Sequence, residues 1–313
     1  MAITIKTMKN TAILLLATAS LLLPFSCGNA IPSSEAIPAK SVDSNPNFKA
    51  YWYDGKAEIT SFKLTQARYG ELREGTAVMV FVTEPFSKSK HVKMDDPSSA
   101  PEDQLDVLKL NFTKNFNTGI YPYSILTSCF TPANGDKSVK INSSCQEWCG
   151  HTFFELDLVG KDYNWTLNSY FEEEHGQKGK MPDAIAEDEI WNMIRINPEA
   201  LPTGDILMIP SLSFLRFKHI DAKGYNATGS LGLKEGLKVY KIDYAELKRS
   251  IEIYFESGFP FNIIGWSETY PDGWSANAPL LTSSGTLMKS IRTDYWNRNG
   301  NADSGLRKEL DLE

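Results

Sequence analysis

The chain has 313 residues, 42% hydrophobic, 12% aromatic and 23% charged, which are the proportions of an ordinary globular protein with material for a sizeable core. That balance excludes disordered, collagen-like and coiled-coil architectures. A formal net charge of −7 argues against a nucleic-acid partner, because neutralising phosphates needs a basic surface.

Lys6 and Lys9 precede an apolar run over residues 12–25. The run is too short to span ~30 Å of hydrocarbon as a helix, and it suits the roughly 7–15 apolar residues of a secretory signal. Ser26-Cys27-Gly28-Asn29 follows. A small residue directly before a cysteine, after a leucine-rich run, resembles the bacterial lipobox, whose cysteine is lipidated and becomes the new N-terminus. Residues 1–26 are therefore expected to be a signal peptide. Cys27 is the expected lipidation site, with palmitate among its acyl groups. Plain secretion, with Cys27 unmodified, is the alternative. Cleavage before Cys27 removes two lysines and no acids, so the mature chain is more acidic still.

Residues 27–49 are rich in Ser, Pro, Ala and Asn and read as a flexible tether. The body, 50–313, opens at Tyr51-Trp52-Tyr53. Strands are expected over 56–68, 76–83, 105–116, 120–130, 138–148, 151–159 and 163–171. The turns between them carry Gly75, Gly119, Asn134-Gly135, Gly150 and Gly160. Spacing this short leaves no room for helical crossovers, so the strands form an antiparallel meander.

A helix is expected within 182–200, where Asp183 supplies the cap, acids fill the first turns, and Pro198 and Pro202 close it. Further strands are expected over 205–210, 213–221, 237–242, 251–256, 261–268, 282–288 and 291–296. A helical turn is expected over 244–249, with a loop around Gly224, Gly229, Gly232 and Gly236. The tail after 297 reads as frayed. The fold class is mainly β: a β-rich α+β protein whose meander forms a strongly curved sheet or open barrel, with one helical insertion near 182–200. Its halves, about 50–176 and 204–298, read as one continuous domain in preference to two.

With Cys27 lipidated, Cys129, Cys145 and Cys149 remain, an odd number for an oxidising compartment. Cys129 and Cys145 flank the Asn134-Gly135 turn, where opposite positions on a hairpin could bridge; Cys145 and Cys149 are the other possible pair. No second Cys or His element completes a zinc set, and no metal or cofactor is expected.

Tyr53-Asp-Gly-Lys-Ala-Glu-Ile59, Leu64-Thr-Gln-Ala-Arg-Tyr-Gly-Glu71, Leu110-Asn-Phe-Thr-Lys-Asn-Phe116, Gly119-Ile-Tyr-Pro-Tyr-Ser124 and Gln146-Glu-Trp-Cys-Gly-His-Thr-Phe153 follow one another along the body. Together they resemble an uncharacterised family of predicted lipoproteins from Gram-negative bacteria, whose members often carry the label "septum formation inhibitor Maf". That resemblance implies an envelope lipoprotein of no established activity. The label's own function does not follow. Maf proteins are cytoplasmic nucleotide pyrophosphatases with a phosphate-binding Ser-x-Ser-x-Arg-Arg element, and this chain contains no Arg-Arg pair.

Glu147, Cys149 and His151 make the one segment mixing acid, nucleophile and imidazole. On a continuous strand they would share a face, so a Cys–His nucleophile is the candidate chemistry. Glu172-Glu173-Glu174 reads as solvated charge, and His219 has no carboxylate at metal spacing. Tyr121, Tyr123, Tyr163 and Trp165 lie at alternate positions and are candidate ligand-binding residues, although core packing explains such faces more often. The expected function is a non-catalytic cell-envelope lipoprotein, tethered to the membrane by its N-terminal lipid. It would bind an apolar ligand, a glycan or an envelope protein. The alternatives are a hydrolase or transferase using Cys149 and His151, and a purely structural envelope component.

Overall fold

Tight turns between β-prone runs leave the chain one economical course, in which each strand pairs with the strand before it. In the computed structural model, which describes residues 46–275 and 277–313, that course yields a single fifteen-stranded sheet. The expected signal peptide, Cys27 and the tether up to residue 45 lie outside the described residues.

The described chain opens with helix α1 (Pro46–Trp52), followed by β1 (Ala57–Arg68), β2 (Glu71–Ser87), β3 (Gln104–Thr118), β4 (Tyr121–Pro132), β5 (Lys140–Glu147), β6 (Gly150–Val159), β7 (Asp162–Ser169) and β8 (Gln177–Met181). Next come β9 (Ile185–Ala186), α2 (Ile190–Ile196), β10 (Gly204–Ile209) and α3 (Leu212–Lys218). The chain ends with β11 (Tyr225–Lys234), β12 (Leu237–Tyr244), β13 (Arg249–Phe255), β14 (Ile263–Pro271), β15 (Leu280–Thr293) and α4 (Gly305–Glu309).

The sheet runs from β8 back through β7 to β1, across to β15, and down through β14 to β9. Antiparallel pairing of β1 with β15 joins the two halves, from Ala57 opposite Thr293 to Thr65 opposite Ser284. The outermost strands are β8 and β9, yet only residues 182–184 separate them in sequence. A link that short holds Met181 and Ile185 within about 14 Å at full extension. The sheet therefore curls until its two edges nearly meet, and an open seam remains between them.

The lumen is filled. Six of the seven residues of α2 are buried, and the helix touches β1, β3, β4 and β14. Trp191 packs edge-on against Phe112 of β3 and Trp266 of β14, and Asn192 donates to the Leu108 carbonyl at 2.7 Å. Arg195 forms a two-bonded pair with Glu58 of β1. Just before α2, Glu187 receives both terminal nitrogens of Arg249, whose Nε donates to Glu268 at 2.7 Å. Buried ions of this kind persist because each is paired. Helix α3 lies nearer the hairpin tips, with Phe217 against Phe116 and Tyr123.

Several expectations need correction. The helix within 182–200 is shorter and preceded by strand β9, and 213–221 is a helix where a strand was expected. Leu212/Leu215 and Phe214/Phe217 do have helical spacing, but Ser213 and Arg216 are buried too, so no polar face marks it. The glycine-rich loop is strand β11. At Gly229 a Cβ would lie 2.4 Å from the Pro202 carbonyl oxygen, so close packing demands the glycine and no turn does. Strand β15 is continuous where two strands were expected, residues 245–248 form a simple turn, and the tail carries α4. Order also begins before residue 50, because Phe48 and Trp52 of α1 are buried.

Candidate functional site

Helix α3 ends where His219 takes the left-handed conformation and its N–H caps the Leu215 carbonyl at 3.0 Å. That turn carries the imidazole across the seam to the connection between β7 and β8. There His219 Nδ1 bonds Glu174, which also accepts from the Ser169 hydroxyl at 2.9 Å. Arg216, one helical turn back, donates to His219 Nε2 at 3.1 Å, which fixes the tautomer with the proton on Nδ1. The same guanidinium lies 4.7 Å above the Phe171 ring and 3.8 Å from Glu147. Arg216 is 7% exposed, and its buried Nε–H has no acceptor among the described residues.

These groups border a cleft of about 340 Å³ in the seam, near the lower end of the ~300–1,000 Å³ typical of ligand sites. Its apolar lining comes from Phe154, Leu167, Phe171, Leu215, Ile220 and Ala222. Its polar lining is mostly acidic. Glu174 is engaged by His219, whereas Glu172, Glu173 and Asp221 make no ion pair among the described residues. Among those residues no group of three or more His, Cys, Asp or Glu is placed to hold a metal ion. Glu172, Glu173 and Asp221 are all exposed.

Around the hairpin tips the cleft continues into a chain of touching rings. Phe171 meets His219 at 5.0 Å, His219 meets Trp274 at 5.9 Å, and Trp274 meets Tyr69 at 6.4 Å. Tyr69 continues to Tyr123, Tyr121 and Trp148. Beneath them Arg68 is buried without a carboxylate partner among the described residues. It donates to the Phe217 carbonyl and to the Tyr69 and Tyr123 hydroxyls, with its guanidinium 4.1 Å from the Tyr69 ring centre.

The residues singled out in the sequence fare unevenly. Glu147 and Gly150 pair across a two-residue turn, so Cys149 stands in the turn and the strand alternation that would align it with His151 is broken. Cys149 and His151 are both exposed, and Glu147 is buried. Glu147 accepts from the Cys149 backbone N–H at 2.7 Å. A hydrogen bond to the same carboxylate holds the Cys149 thiol above its ordinary pKa, the opposite of an activated nucleophile.

Cys129 and Cys145 are free. The β4–β5 register puts Cys129 opposite Ile141 and Cys145 opposite Ile125, four residues apart. That is about 13 Å at ~3.3 Å per residue, beyond the ~7 Å Cα limit of a disulfide. Tyr123 and Tyr163 are core residues, 1% and 0% exposed. Trp165 is half-buried against Gly179, and Tyr121 stacks on exposed Trp148. None of the four lines the seam cleft.

Sequence reasoning missed Glu174, Arg216 and His219 as a group. Glu174 and His219 are 45 residues apart, and no local spacing signals their pairing. A second cavity, between α2 and β13–β14 beside Asp188, has about 20 Å³, room for one water and no larger ligand.

No family model matches the chain, and no curated protein matches it. Among solved structures it is similar to the crystal structure of a beta-barrel-like protein of a domain of unknown function, DUF1849, from Brucella abortus. The identity is 12% over 76% of this chain and 97% of that chain, with a TM-score of 0.46.

Proposed function

We propose that the protein is a non-catalytic binding module of the bacterial cell envelope, lipid-anchored through Cys27, and that its ligand occupies the seam cleft. The anchoring rests on the signal-like residues 1–26 and the Ser26-Cys27 junction. The binding reading is carried by one observation: a cleft with an apolar floor, edged by three exposed carboxylates that make no ion pair among the described residues. An apolar ligand bearing a positive charge satisfies both features, burying hydrocarbon and pairing the acids. Hydrolysis or transfer through Cys149 lacks support, because the hydrogen bond to Glu147 raises the thiol's pKa and Cys149 does not line the cleft.

Titration of the purified mature protein with dodecyltrimethylammonium below its micellar concentration tests this, with dodecyl sulfate as the opposite-charge control. The cation should bind, binding should weaken as salt is raised, and the Glu172→Gln/Glu173→Gln/Asp221→Asn variant should lose about tenfold or more in affinity. Equal binding of the two surfactants would contradict the reading. An intact mass carrying acyl groups on Cys27 is the expected companion result; an unmodified Cys27 removes the anchor.

A further inference from the structure

The cleft is bounded on one side by β8, the outermost strand of the sheet, whose second edge pairs with no other strand among the described residues. Across the seam, β9 contributes only Ile185 and Ala186, paired parallel to Met208 and Ile209 of β10. The seam is narrowest at residues 182–184, which join β8 to β9, and the cleft lies toward the opposite end of β8, at Gln177. A strand edge left open to solvent presents a row of unspent N–H and C=O groups, which proteins normally cover, shorten or guard with charge. Here Gln177, Lys178, Gly179 and Lys180 are all exposed. The Lys180 ammonium turns back to Asp162 of β7 at 2.7 Å, so the charge left on this edge is that of Lys178, which makes no ion pair among the described residues. At Gly179 a Cβ would lie 2.8 Å from the Trp165 indole nitrogen, so glycine seats the strand on that ring and leaves bare backbone at mid-edge.

We propose that the occupant of the cleft is an extended peptide segment of alternating apolar and lysine or arginine residues, which hydrogen-bonds along the free edge of β8 and carries the sheet across the seam. This rests on the reading of the cleft as the binding site and names its ligand class. Three independent features converge on it. Successive side chains of a strand point to opposite faces, so one set reaches the apolar floor of Phe154, Leu167 and Leu215 while the other reaches Glu172, Glu173 and Asp221. The Arg216 guanidinium, which lines the same cleft with a buried Nε–H lacking an acceptor among the described residues, fits the carbonyl-rich backbone that a peptide offers and a simple amphiphile does not. The unpaired β8 edge supplies the main-chain bonds, which is the mode of recognition by strand addition.

The test is fluorescence anisotropy of the mature protein with labelled acetyl-Lys-Val-Lys-Val-Lys-Val-amide. Two analogues are run beside it, one N-methylated on the lysines and one on the valines. In a strand, the N–H groups facing one edge come from alternate residues. One analogue should therefore bind like the parent and the other at least about tenfold more weakly. If both analogues bind as tightly as the parent, side chains alone hold the peptide and strand addition is overturned. If the parent does not bind while dodecyltrimethylammonium does, the peptide class is overturned and the cleft reading survives. If neither probe binds, the cleft reading itself fails.

Discussion

Asp188 shows how far burial alone sets a single residue's behaviour. Its carboxylate accepts from the Leu212 N–H at 2.9 Å, and burial raises its pKa from 3.8 to about 6, with the Glu187 charge beside it adding to the rise. The folded state thus holds this proton more tightly than the unfolded chain does. The contribution to stability is fully present below the unfolded value and is lost as pH rises through the folded one. Its size is on the order of 3 kcal/mol. Asp188→Asn keeps an acceptor and drops the charge. In urea unfolding the variant should be more stable than the parent near pH 7.5 and equal to it near pH 4. A difference that does not change with pH would mean the charge is not what costs stability. The sequence shows Glu187-Asp188-Glu189 as ordinary helix-start acids, because nothing local reveals that the lumen encloses all three.

At the scale of elements, α2 is tied to the sheet by an ion pair as well as by its apolar faces. Glu58 is 2% exposed and Arg195 1% exposed, and their two-bonded pair ties α2 to β1. Arg195 holds the Glu58 carboxyl below its usual range against a desolvation that pushes the other way. Removing one partner leaves the other buried and uncompensated. Arg195→Leu or Glu58→Leu alone should therefore cost about 3–5 kcal/mol in urea unfolding, and the double variant less than either. Additive losses would contradict the pairing. Elements with one wet face were legible: β7 alternates buried Tyr163 and Leu167 with exposed Asn164 and Thr166. Helix α3 was not, because its polar residues are buried with its apolar ones and the usual stripe is missing.

For the molecule as a whole, the critical junction is β1 with β15, where the last strand closes onto the first. A chain ended after Pro279 loses β15 and exposes the inner edges of β1 and β14 together. It should show no cooperative unfolding transition. A chain ended after Thr293 keeps all fifteen strands and gives up the buried Leu310 side chain, the Lys289–Asp311 ion pair and the bond from the Ser61 hydroxyl to the Leu310 carbonyl. It should unfold cooperatively at a modestly lower urea concentration. Cooperative unfolding of the shorter chain would mean that the halves stand alone.

The sequence by itself determined the β class, the meander and the placement of most hairpin turns. Those follow from side-chain alternation and turn chemistry, which act between neighbours in the chain. Only the tertiary structure decided that the meander curls until β8 and β9 nearly meet, that α2 and α3 are enclosed, and that Glu174, Arg216 and His219 gather on the seam. It also decided that Cys129 and Cys145 stay apart, since pairing register is fixed by the length of the loop between two strands and the packing of their buried faces. Such contacts are set by how a curved sheet brings distant residues together, and no local pattern encodes them.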